Sequence, residues 1–170
     1  WHVMNLYSAY GFQDFLLALG YKGELIREYF SNFDQQQSRL HARVSDRDVG
    51  MVGTPTARWA VDLVDSGLDT MTGGRLLRLE KKLNPETFML TYGDGLGSID
   101  IGELVQFHKR HGKIATVTAV RPPARFGGIQ CDGEKVVSFR EKSQADAGWI
   151  NGGFFIFEPE VFRYLTDDKT

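Results

Sequence analysis

Residues 88–97 read FMLTYGDGLG, an apolar, strand-like run ending at Asp94, which is set between Gly93 and Gly95. A carboxylate between glycines is good material for a tight turn. It is equally good material for a metal or phosphate site, because glycines let backbone and ligand come close and Mg²⁺ takes one or two carboxylates plus phosphate oxygens. These ten residues taken alone leave the two readings level.

Three further stretches carry chemistry. DTMTGGRL (69–76) places Gly73 and Gly74 where a helix opens and Arg75 just behind them. Exposed N–H groups there can bind an anion or read a base edge, and the guanidinium adds a fork of donors. The plain alternative is a helix N-terminus with a solvent-facing arginine. Glu141 and Lys142 close the run SFREK. The glutamate can accept from sugar hydroxyls and the lysine can meet a phosphate as a point charge; otherwise they are a solvated pair at a strand end. In INGGFF, Asn151 precedes two glycines inside an apolar strand, which marks a bulge or a close ligand approach.

Other chemistries are not signalled. His108 and His111 lie three apart beside Lys109 and Arg110, which reads as a solvated helix end in a favourable dipole rather than a metal site. The patterns GxxxxGK[ST] and GxGxxG are absent, so neither a P-loop enzyme nor a dinucleotide oxidoreductase is indicated. No serine has a His/Asp partner in motif context, so a hydrolase triad is unsupported.

The elements that must position these residues follow from periodicity. Val3, Leu6, Tyr7 and Tyr10 predict a helix stopped by Gly11, and FLLAL (15–19) a buried strand. ELIREYF predicts a short helix, and the polar stretch from Ser31 to Thr56 a loop or a weak excursion. WAVDLVDS (59–66) alternates as a strand; 67–74 is a loop and 75–83 a helix ending before Asn84-Pro85. After the strand at 87–92, Asp100 and Glu103 form a capping-box pattern for a helix through His111, ended by Gly112. IATVTAV (114–120) is a β-branched strand, 121–128 a Pro/Gly loop, Asp132-Gly133 a hairpin turn, and 150–157 a final strand. Strands alternating with helices predict an α/β fold with a mainly parallel sheet covered on both faces. Ligands bind such sheets at the carboxyl ends of the strands, where these unusual residues gather.

Composition narrows the class. The chain has 170 residues, 42% hydrophobic and 25% charged, with a formal net charge of −2. That suits one globular domain and gives no sequence-independent grip on nucleic acid. The single cysteine, Cys131, rules out an internal disulfide and a cysteine-clustered zinc site. No apolar run approaches the roughly 20 residues that span a membrane. A cytoplasmic domain, 1–170, is the expectation.

Taken in order, LVDSGLDTMTGGRLLRL, FMLTYGDGL, RFGGI, FREK and WINGGFFIF resemble the sugar-1-phosphate nucleotidyltransferases, above all their glucose-1-phosphate cytidylyltransferase branch. YSAYGFQDFLLALGYKGELIREYF fits the same family; the likeness is weak from about Asp34 to Arg58. The resemblance implies a Rossmann-like nucleotide-diphospho-sugar transferase fold, here incomplete, and formation of CDP-glucose and pyrophosphate from CTP and α-D-glucose 1-phosphate. It implies that Asp94 holds Mg²⁺ with Gly93 lining the nucleotide, and that Thr70, Gly73, Gly74 and Arg75 contact the nucleotide. It implies that Gly127, Glu141 and Asn151 hold the sugar and Lys142 its phosphate. The family's GGxGTR loop is not among these residues, and a second metal-binding aspartate is expected after Thr170. These 170 residues alone are therefore expected to be nearly inactive, and the full-length protein to be a homo-oligomer. Thymidylyl or uridylyl transfer, and a non-catalytic sugar-nucleotide-binding domain, are the alternatives.

Overall fold

The computed structural model describes residues 1–37, 41–44, 49–52, 59–121, 128–140 and 148–170. In chain order the elements are α1 (His2–Ser8), β1 (Asp14–Leu19), α2 (Gly23–Gln37), β2 (His41–Val44), β3 (Val49–Val52), β4 (Ala60–Asp65), α3 (Thr72–Leu83) and β5 (Phe88–Thr91). They continue with α4 (Ile101–His111), β6 (Ala115–Val120), β7 (Gly128–Asp132), β8 (Lys135–Arg140), β9 (Ile150–Phe157) and a 3₁₀ helix (Pro159–Tyr164).

The strands form three sheets, ordered β1-β4-β3-β2, β5-β9-β6 and β7-β8. β1 and β4 pair in parallel from Asp14↔Ala60 to Leu19↔Asp65, so both strands end at one edge. β9 lies between β5 and β6 and is antiparallel to each, which makes those two parallel to one another. The expected α/β class is present. Direct parallel pairing among the described ladders is confined to β1 and β4, because β9 intervenes in one sheet and β2 and β3 pair antiparallel in the other.

Alternation along each strand explains why helices cover both faces. In β5, Met89 packs with α1 and α4 around Tyr7, Ile101 and Phe154. Its neighbours Phe88 and Leu90 face the other way, onto Leu76 of α3 and onto Val161 and Phe162. In β4, Val61 and Leu63 join Met4 of α1 and Phe30 of α2, whereas Asp62 between them accepts from Lys82 of α3 at 3.3 Å. Leu63, Ile101 and Phe154 are at most 1% exposed, and each such side chain contributes about 1.5–3 kcal/mol of burial.

Local signals behave as chemistry dictates at the helix ends. Asp100 accepts from the Glu103 amide at 2.8 Å, and Gly112 closes α4 in the left-handed region at φ 62°. Two expectations fail. The described residues of the 31–56 stretch are not a loop: α2 runs on to Gln37, and His41–Val44 and Val49–Val52 are strands. Strands of four residues show too few repeats for a period to emerge from polar surroundings. The glycine pair also lies inside the first turn of α3, rather than in a loop before it.

Candidate active site

Tyr92 to Gly95 is a turn: the Gly95 amide donates to the Tyr92 carbonyl at 3.3 Å. Its glycines are not demanded by that geometry, because neither Gly93 nor Gly95 has a positive φ. A Cβ added at Gly93 would meet nothing within 4 Å. The Asp94 side chain is exposed and has no hydrogen bond or ion pair among the described residues. The turn thus presents a carboxylate that has no partner among the described residues.

Tyr92 ties this turn to Asn151. The Asn151 side-chain amide donates to the Tyr92 hydroxyl at 3.3 Å, and its Oδ1 accepts from the Gly153 amide at 2.8 Å. Gly153, at φ 77°, lies under the Tyr92 ring, where a Cβ would sit 3.1 Å from Cδ2. The register of β6 against β9 shifts between Val117 and Ala119, opposite this segment. The NGG motif therefore builds a bulge that seats Tyr92 and leaves Asn151 exposed beside the turn.

The DTMTGGR segment is built differently. Leu19 and Asp65 end the parallel ladder side by side, and the fully buried Ser66 donates from its hydroxyl to the Leu19 carbonyl at 2.8 Å. Arg75 reaches back from α3 to this corner. Its Nη1 donates to Ser66 Oγ at 2.6 Å, to the Gly67 carbonyl at 2.9 Å and to the Leu19 carbonyl at 3.2 Å, and Nη2 donates to the Leu68 carbonyl at 3.3 Å. Arg75 is a staple of the loop, not the solvent-facing arginine of the plain alternative. Any contact with a nucleotide falls to its remaining donors. Gly73 and Gly74 face the chain's own last residues: a Cβ on Gly73 would lie 2.8 Å from the Thr170 carbonyl oxygen, and one on Gly74 2.5 Å from the Asp168 Cα. The Gly73 amide already donates to Thr170 at 2.9 Å. Thr70 is 6% exposed, and its hydroxyl has no hydrogen-bond partner among the described residues.

The histidines are not a solvated helix end. His108 is 2% exposed; its Nδ1 meets Thr116 Oγ1 at 2.7 Å and its Nε2 meets Glu158 Oε1 at 2.9 Å. His111 Nε2 shares Thr116 Oγ1 at 2.7 Å. Thr87 donates to Glu158 Oε2 at 2.7 Å, and with His108 it holds that carboxyl below the ordinary value. This network joins α4 to the ends of β6 and β9 and has structural work enough. Burial pushes the Tyr7 phenol up, against the opposing effect of its bond to Thr91.

Gly127, Glu141 and Lys142 lie outside the described residues; of the expected residues, the structure ties Asn151 to the turn carrying Gly93 and Asp94 through Tyr92. Among the described residues, no three His, Cys, Asp or Glu side chains group to hold a metal. A lone accessible carboxylate fits a cation that takes its other ligands from phosphate, and does not fit an all-protein cage.

Comparison with known proteins decides the family. The profile of the nucleotidyl transferase family, NTP_transferase, matches residues 67–170. The chain belongs to that family. Both candidate segments, DTMTGGR and YGDG, fall inside the matched nucleotidyl transferase region. The glucose-1-phosphate cytidylyltransferase of Salmonella typhi is 42% identical over 171 residues, 100% of this chain and 66% of that protein. The probable glucose-1-phosphate cytidylyltransferase of Bacillus subtilis is 41% identical over 99% of this chain and 65% of its own length. The chain thus spans just under two thirds of these curated relatives. Among solved structures, HddC from Yersinia pseudotuberculosis superposes with a TM-score of 0.63 at 19% identity, over 99% of this chain and 66% of that one. At that identity it speaks for the fold alone.

Sequence reasoning missed three residues of these two regions. Tyr92 stands inside the YGDG motif and was passed over for its charged neighbour. Arg78 lies one helical turn after Arg75, a spacing that puts both on one face of α3. Asp168 had no local signal, because its partners lie 90 residues away.

Proposed function

We propose that this nucleotidyltransferase moves a cytidylyl group from CTP to α-D-glucose 1-phosphate, giving CDP-glucose and pyrophosphate. The observation that carries this reading is the 42% identity, spanning the whole chain, to the glucose-1-phosphate cytidylyltransferase of Salmonella typhi. The turn at Gly93 and Asp94 supports it, since among the described residues no positive φ and no close contact calls for glycine there.

A phosphate oxygen of glucose 1-phosphate attacks the α-phosphorus of CTP in line; the new P–O bond forms as the bond to pyrophosphate breaks, and pyrophosphate carries away the bonding pair. No covalent intermediate on the protein is needed, so the lack of a triad is expected. Catalysis then rests on positioning and charge neutralisation. Asp94 would hold Mg²⁺, which when bound draws charge from the phosphate oxygens. Lys142 meets the sugar phosphate as a point charge, Glu141, Gly127 and Asn151 hold the sugar, and Thr70 with the free donors of Arg75 faces the nucleotide. Gly73 and Gly74 pack the nucleotide-side loop against Asp168 and Thr170.

No helix among the described residues is long and apolar enough to cross a membrane, and a cytoplasmic enzyme with small-molecule substrates is the reading proposed, as a homo-oligomer when full length. The test is pyrophosphate release by the full-length protein with glucose 1-phosphate and CTP, UTP or dTTP in turn. CTP should be preferred clearly; a preference for UTP or dTTP overturns the cytidylyl assignment.

A further inference from the structure

We propose that Arg78 and Asp168 form a positioning clasp that sets the 66–71 loop, and Thr70 within it, for the nucleotide; this rests on the nucleotidyl-transfer reading above. Arg78 Nε donates to Asp168 Oδ1 at 3.0 Å and its Nη2 donates to Oδ2, a two-pronged grip. The third arm, Nη1, donates to the Ser66 carbonyl at 3.0 Å. The backbone oxygen of Asp168 accepts the Met71 amide at 2.8 Å. One residue pair therefore holds both ends of the loop, Ser66 and Met71, and fastens it to the segment after the 3₁₀ helix.

The packing around Thr70 depends on this pair. Gly67 sits at φ 89°, and a Cβ there would overlap Arg78 Nη1 and approach Thr70 Oγ1 to 2.6 Å. A Cβ at Gly74 would come 2.5 Å from the Asp168 Cα and 2.8 Å from Thr70 Cγ2. Thr70 is thus boxed by two bare glycines whose missing side chains make room for the clasp. Stability does not account for the pair. The two side chains are 42% and 50% exposed, where an ion pair is worth little, and α3 is already anchored by Leu76 and Leu79. Two-pronged geometry fixes orientation instead.

The test uses Arg78→Ala, Arg78→Lys and Asp168→Asn in the full-length protein, with CTP binding by calorimetry, steady-state kinetics and thermal melting. Arg78→Ala and Asp168→Asn should weaken nucleotide affinity and raise its KM about fivefold. The KM for glucose 1-phosphate and kcat should stay within about twofold, with Arg78→Lys intermediate and the melting of Asp168→Asn, which leaves the Arg78 bond to Ser66 in place, nearly unchanged. Unchanged nucleotide affinity in both variants, or affinity, kcat and melting temperature falling together, overturns the clasp. If another nucleotide proves to be preferred, the cytidylyl reading fails, while the same shift measured on that nucleotide sustains the clasp.

Discussion

The Tyr92–Gly95 turn and the start of α3 share one composition, glycines beside a charged residue after an apolar strand, yet the protein uses them in opposite ways. At the turn, Asp94 has no partner among the described residues and Gly93 borders open space. At α3, Arg75 has four protein acceptors, and Gly73 and Gly74 are glycine because Thr170 and Asp168 occupy the space. We propose that the charged residue the fold leaves idle here, Asp94, is held for a ligand. One that the fold employs can serve a ligand only with what remains.

The sharpest way to break this contrast is Asp94→Asn in the full-length enzyme. Turnover should fall by at least about a hundredfold, the loss of a charged group at the reacting phosphate. Stability should stay within about 0.5 kcal/mol, as for a surface side chain without partners. Near-normal turnover would make Asp94 a turn residue and dissolve the comparison.

Arg75→Ala probes the other side. It removes donors from Ser66, which is fully buried, and from three carbonyls. Hydrogen bonds to a charged group contribute about 1.5–3 kcal/mol, so a loss of about 2 kcal/mol in unfolding free energy is expected, read as a lowered denaturant midpoint, with activity falling alongside. An unchanged midpoint combined with lost activity would mean that Arg75 belongs with Asp94, as a residue kept for the ligand.

How far each region was legible in the sequence follows the same division. Elements with a clear period and their own caps, such as β4 and α4 between Asp100 and Gly112, stand where the sequence puts them. The turn at Asp94 was legible because its meaning is local. The employment of Arg75, of the two helix glycines and of His108 was not, since each takes at least one partner from a distant part of the chain: Leu19, Thr170 and Asp168, and Glu158. Residue type announces what a side chain can do, and only packing assigns the partner that uses it up.

His108 offers the mildest test of that division. With Glu158, Thr87, Thr116 and His111 it closes a network that looked like a charged helix end. The Glu158 carboxyl lies below the ordinary 4.5, through Thr87 first and His108 second. A carboxyl lowered by folding adds stability that is complete above its ordinary value and disappears as pH falls through the lower, folded value. Because the Glu158 side chain is 36% exposed, screening leaves a contribution of about 0.5–1 kcal/mol. Glu158→Gln should therefore be slightly less stable than the parent at pH 7, with the difference closing as pH falls below the ordinary carboxyl range in denaturant titrations. A difference that stays constant with pH would assign the cost to lost packing, and the carboxylate would then be as idle as that of Asp94.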